Sequence, residues 1–360
     1  MATDSQISRR SFLKSSVAGA AAVAAPARLA YAMPPKQILG VNSAPQDQFK
    51  RFADITKTTI GVTTVVLNDK IHVLGGAEAD FHQVFDPASN SWTQKAPLPN
   101  SAGIGWGMAA PFDGRIYLFG GGYGEEWRGD KRAWVYKPQT DKWSAVASMP
   151  LQRMQGAAVA TEDAIFIIGG HRGSQKTSRE EEINVTYRYE PFKNTYTQVA
   201  PMPETGIFIV SAYYEGTIYL IPGVARTSKE AAQGYIWADG LLKYNPAKDA
   251  WTKLNTPRVY QSAWAVTQQS SHVHIGPRLY YGGGGTSPER KRTDTFMYYD
   301  MDNDKFVPAG HLPKVRCCAG GGVVKGKLYI VAGFYNATGD RCPETWGYPF
   351  PGEACCGPRS

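Results

Sequence analysis

"RIYLFGGGYGEEWRGDKRAWVYKPQTDKWSAVASMP", residues 115–150, sets the pattern of the whole chain. A short apolar run ends in a glycine pair, Gly120-Gly121, and a polar loop follows. A second run carries Tyr136, and a third opens on Asp141 and Trp143 and closes at Pro150. Short runs rich in β-branched and aromatic residues between glycine and proline breaks read as strands. No stretch shows a sustained helical period, and 38 glycines with 20 tyrosines suit β structure with many tight turns.

The same order recurs outward in both directions. Upstream lies "KIHVLGGAEADFHQVFDPASNSWTQKAPLP" (70–99). Downstream lie copies beginning "AIFIIGG" (164–170), "TIYLIPG" (217–223), "RLYYGGG" (278–284) and "KLYIVAG" (327–333). The glycine pairs read as Gly75-Gly76, Gly120-Gly121, Gly169-Gly170 and Gly282-Gly283, degenerating to Pro222-Gly223 and Ala332-Gly333. The outer aromatics Trp92, Trp143, Tyr196, Trp251 and Phe306 recur at roughly 50 to 55 residues. A small apolar strand precedes each unit, as in "GAAVA" (156–160) and "GGGVV" (320–324). Each unit therefore supplies four strands.

The sixth copy stops short. After "ETWGYPF" (344–350) comes "PGEACCGPRS", with no Asp-x-aromatic strand. The missing piece stands at the other end of the chain, in "DQFKRFADI" (47–55). The two ends are expected to build one blade, which leaves no unpaired sheet edge between first and last units.

The glycine pair, tyrosine and tryptophan recurring in this order resemble the kelch family over nearly the whole segment 47–351. That resemblance implies an all-β, six-bladed propeller, its last blade closed by the N-terminal strand.

Residues 1–32 stand apart from the repeats. "SRRSFLK" (8–14) holds paired Arg9 and Arg10, an Ala-rich run follows, and Ala30-Tyr31-Ala32 forms a small-x-small cleavage pattern. The paired arginines match the twin-arginine signature, and the apolar run is too short for a membrane span. Export machinery of that pathway is thus a partner, and the periplasm or beyond the destination. No stable membrane anchor is expected. Residues 33–46 read as a linker and 352–360 as a cysteine-containing tail. The formal charge of +8 falls to about +5 without the signal, and no long basic run remains, which excludes nucleic acid as a partner. A monomer without cofactor is expected.

Propeller topology puts the loop between strands two and three on the same face as the links between blades, so this face is where a site is sought. Arg153, Arg258 and Arg316 fall just before inner strands, and Arg172 and Arg226 follow glycine pairs. Five guanidiniums around one opening would suit a carboxylate; the competing reading is that such arginines bond turns. Trp106, Trp127, Tyr260 and Tyr335 add stacking surface, beside the carboxylates Glu78, Asp80 and Glu126 and the imidazole of His82. Glu125 and His171 are the candidate acid–base pair. His272 and His274 lack an evident third metal ligand. Cys317, Cys318, Cys342, Cys355 and Cys356 all lie in the last blade or tail, which in an oxidising compartment suggests disulfides and alternatively a thiolate metal site.

The resemblance to exported bacterial kelch proteins, which include N-acetylneuraminate epimerases, implies a sugar-acid mutarotase, an isomerase. A non-catalytic propeller recognising a protein or glycan is the alternative. A copper oxidase of the galactose oxidase kind is disfavoured, because the cysteines sit only at the C-terminal end.

Overall fold

Each apolar run finds its neighbour in the next run along the chain, so the pairing is local and antiparallel throughout. The structure, a computed structural model, describes residues 49–76, 79–99, 103–123, 128–173, 183–225, 236–237, 240–254, 270, 273–284, 293–335 and 340–348. These lie within one unit, residues 41–360. They form six four-stranded sheets, the blades of a propeller, and two short ribbons. The second blade, for example, runs Met108–Phe112, Arg115–Phe119, Ala133–Lys137 and Lys142–Val146 from the channel outward. The inner strands of the third to sixth blades are Ala157–Ala160, Val210–Tyr214, His274–Ile275 and Gly320–Val324.

The sixth sheet is completed as the sequence implies. Lys50–Phe52 pairs with Thr345–Tyr348, with Arg51 opposite Trp346. Two further contacts tie that strand to the first blade: the Ala53 N–H donates to Asn90 Oδ1 (2.7 Å), and Trp92 Nε1 donates to Ala53 O (2.8 Å).

That pair of contacts is one case of a repeated staple. Asp141 Oδ1 accepts from the Tyr136 hydroxyl of its own blade (2.6 Å) and from the Ala96 N–H of the preceding one (3.0 Å), while Trp143 Nε1 donates to Ala96 O (3.2 Å). Asn194 with Tyr189 and Tyr196 does the same to Ala147, and Asp249 with Tyr244 and Trp251 to Ala200. Asn90, Asp141, Asn194, Asp249 and Asp304 all have φ between 48 and 55°. Asn and Asp tolerate this left-handed conformation better than other side chains do, which explains why they stand two residues before the outer aromatic.

The glycine pairs make the other joint between blades. The second glycine donates its N–H to the link entering the next blade: Gly76 to Ile104 O, Gly121 to Arg153 O, Gly170 to Gly206 O and Gly284 to Arg316 O, at 2.8 to 3.0 Å. Only glycine fits the first position of the second blade, since a Cβ on Gly120 would lie 2.3 Å from Arg153 O. In the fifth blade the joint is Gly283-Gly284, one residue later than the sequence suggests, because Gly282 stays in the ladder opposite Phe296.

Candidate functional site

The link face is organised by backbone before any side chain. Trp106, Gln155, Phe208 and Cys318, with φ of 52 to 61°, each stand two residues before an inner strand. Along the first four blades they are chained: Trp106 N donates to Gly61 O (2.7 Å), Gln155 N to Trp106 O (3.0 Å) and Phe208 N to Gln155 O (2.9 Å). This chain rims the channel mouth. Trp106 is therefore part of the rim, 7% exposed and packed over Gly61, rather than an open stacking platform.

Two positions before the rim residues sit the arginines. Arg153 is fully buried, its Nη1 donating to Gly169 O (3.1 Å) and Val185 O (3.0 Å) and its guanidinium 5.1 Å over the Tyr187 ring. Arg316 repeats this, donating to Ala332 O (3.5 Å) and Glu344 O (3.4 Å). Both side chains fold back into their own blades and tie the end of the second strand to the start of the third. The expectation that these groups face solvent is overturned: turn bonding governs their placement. The stretch leading from Arg258 to the fifth inner strand is not described, so its equivalence to them stays an expectation from sequence. Arg258 itself, with Arg226, Tyr260, Glu78, Glu125, Glu126, Trp127, His272, Cys355 and Cys356, lies outside the described residues.

The two arginines differ in what meets them. Arg316 Nη2 contacts Glu344 Oε2 at 3.3 Å, and that carboxylate also accepts from Lys314 Nζ (2.8 Å) and Trp346 Nε1 (2.9 Å). Burial pushes Glu344 up, but these bonds and one from Tyr335 outweigh it and hold the carboxyl at about 2. Tyr335 is a structural partner here, lying beneath Lys314 and Arg316. Arg153 meets Val185 where Arg316 meets Glu344, so no carboxylate neutralises it there. Burial lowers its pKa to about 10, partly offset by Tyr187 and Tyr196. Among the described residues its Nε and Nη2, and both amide atoms of Gln155, are buried without a hydrogen-bond partner.

His171 lies alongside, its backbone bridged both ways to Met154 (2.9 and 3.0 Å), and is 7% exposed. Arg172 follows and is exposed. Arg153, His171 and Arg172 are thus brought together on the third blade, whereas Arg316 and Tyr335 belong to the sixth. Asp80 is half-buried on the first blade. His82 is not on this face at all: it is fully buried against His72, Tyr136 and Trp143. His274 stands at the opposite end of the channel, beside the Gly276 turn. Among the described residues no three His, Cys, Asp or Glu side chains group as a metal site. Cys317, Cys318 and Cys342 are buried and not bridged to one another. Sequence reasoning missed Gln155 and Glu344; the only signal for Gln155 was its place two residues after Arg153.

The fold and the repeated joints define a six-bladed β-propeller, and its N-terminal signal directs it to twin-arginine export. Kelch motifs match at 109–150 and 152–203, and a twin-arginine translocation signal sequence at 6–26. The chain is similar to mouse Kelch-like protein 35 (26% identical over 74% of this chain and 42% of that protein). It is likewise similar to Kelch-like protein terF of Aspergillus terreus (23%, 79% and 64%) and to alpha-scruin of Limulus polyphemus (26%, 74% and 28%). It thus spans less than two thirds of the length of these relatives. Among solved structures, that of YjhT superposes with a TM-score of 0.67 at 14% identity, over 82% of this chain and 95% of that one, a likeness of fold.

Proposed function

We propose that this exported propeller binds a carboxylate-bearing small molecule, an acidic sugar such as sialic acid, on its link face beside Arg153, His171 and Arg172. The observation that carries the reading is the buried Arg153 guanidinium, with no carboxylate at Val185 and with Nε and Nη2 unpartnered. A side-on pair of N–H donors matches a carboxylate bidentately; both atoms are covered, so a ligand reaches them by displacing what covers them, and Arg172 adds exposed positive charge. The kelch resemblance to exported N-acetylneuraminate epimerases supports the same ligand class. Anomer interconversion would require a base for the anomeric hydroxyl and an acid for the ring oxygen, with His171 and Glu125 as candidates. Recognition of a glycan or protein without catalysis uses the same face.

The test is calorimetry with sialic acid and a neutral hexose. Losing a charged hydrogen bond costs roughly 1.5 to 3 kcal/mol, so Arg172→Ala and Arg153→Lys should each weaken sialic acid about tenfold or more. The neutral sugar should bind poorly throughout. Equal binding of the two sugars, or indifference to both substitutions, refutes the site. Anomer exchange followed by NMR, with and without His171→Ala, separates enzyme from binding module.

A further inference from the structure

The channel is not evenly packed around its axis. On one side the inner strands of the fifth, sixth and first blades close on each other. Thr64 Oγ1 donates to Gly321 O (2.8 Å) and meets Ser270 Oγ (2.8 Å), and the Gly321 N–H donates to Ser270 Oγ (3.0 Å). A Cβ on Gly320 would stand 2.1 Å from the Thr64 side chain. On the other side the second, third and fourth blades present small residues, and a cavity of about 100 Å³ remains at the end away from the links. Pro111, Ala158, Ala160, Ser211, Tyr213 and His274 line it, with no carboxylate or cationic Lys or Arg among the lining residues.

Its polar atoms have assigned roles. His274 Nδ1 faces Gly276 O at 3.1 Å, and a carbonyl only accepts, so Nδ1 carries the proton. Nε2 is left with its lone pair and, among the described residues, no bonded partner. The Tyr213 hydroxyl donates to Glu162 Oε2 (2.5 Å), which leaves its oxygen to accept. The cavity thus offers acceptors from two blades, the Ser211 hydroxyl, and alanine walls.

We propose that this lower end of the channel is a second binding site, for a small neutral polyol of glycerol size. Neutrality follows from the lining, which holds no charged side chain: the Glu162 carboxylate at its rim is exposed and already accepts from the Tyr213 hydroxyl, so a charge moved inside would lose hydration without a free counter-charge. Hydroxyl donors match the imidazole and phenol acceptors. At about 100 Å³ the cavity has room for several waters, and so for a molecule of a few heavy atoms. The site is independent of the link-face reading and stands or falls without it.

Six histidines give a resolvable set of imidazole resonances, with His274 identified by its loss in His274→Phe. On titrating glycerol into the full exported chain, the His274 resonance should move along a saturable curve with a Kd in the millimolar range, as suits about six heavy atoms. Acetate should produce no saturable shift. Ala160→Leu, which fills the cavity from the end of an inner strand, should abolish the effect while leaving thermal unfolding and sialic acid binding in place. A linear drift, the sign of a cavity holding water alone, would overturn the proposal, as would unchanged glycerol binding in a folded Ala160→Leu protein.

Discussion

His72 and His82 show how a single contact couples stability to pH. Ten residues apart, they sit on adjacent strands of the first blade, with His72 Nδ1 and His82 Nε2 at 2.8 Å. Tyr136 and Trp143 of the second blade close over His82. Burial, then the positive charges of Lys95 and Lys70, lowers His72 from 6.5 to about 4; burial, then His72 and Lys95, holds His82 well below its ordinary value too. The folded state therefore resists the proton that the unfolded chain takes up below pH 6.5. Stability is complete above that value and falls as the pH drops toward 4. At 1.36 kcal/mol per pKa unit, His72 alone accounts for roughly 3 kcal/mol. Urea unfolding at pH 7.5 and pH 4 should show this loss, and the double variant His72→Phe, His82→Leu should show a smaller one. Equal pH dependence in both proteins would remove the pair as its cause. The sequence hid this contact because His82 reads as a loop residue after Gly75-Gly76, whereas the third strand already begins at Ala79.

Between blades the unit of cohesion is the staple of Asn or Asp, tyrosine and outer aromatic. Asp141 satisfies two donors at once, one from each blade, and does so at a φ of 51°. Asp141→Ala leaves the Tyr136 hydroxyl and Ala96 N–H unbonded and puts alanine in a left-handed conformation. A cost of about 2 to 4 kcal/mol follows. Asp141→Asn keeps the oxygen acceptor and the tolerated backbone, as Asn90 and Asn194 already do in their blades, and should cost less than about 1 kcal/mol. Chemical denaturation of the two variants checks the ranking, and equal costs would contradict it. Spacing made these residues visible as a repeat, but not what they bond, because each acceptor serves a group 45 to 49 residues away. The arginines failed for a related reason. Position before an inner strand is legible at Arg153 and Arg316, while the turn of each side chain into its own blade depends on carbonyls of later strands.

At the scale of the whole molecule, blade count and closure were legible because the missing outer strand of the sixth unit has a counterpart at 47–55. What a ligand would touch was less legible, since Glu125, Arg226 and Arg258 fall in links and loops that the repeat does not specify. The central claim is that the ring is shut by its first strand. Lys50–Phe52 supplies the outer edge of the sixth sheet, Ile55 N donates to Pro343 O (2.9 Å), and Ala53 carries the staple to the first blade. Phe49 packs against Phe296 and Tyr348, so the same segment also fills the core between the fifth and sixth blades. Removing it exposes an unpaired edge and separates two blades together. The most direct measurement is the thermal unfolding of a chain lacking residues 47–56 beside that of the intact protein. The closed ring predicts aggregation or loss of the cooperative transition in the shortened chain. A single cooperative transition at the parent temperature would contradict it.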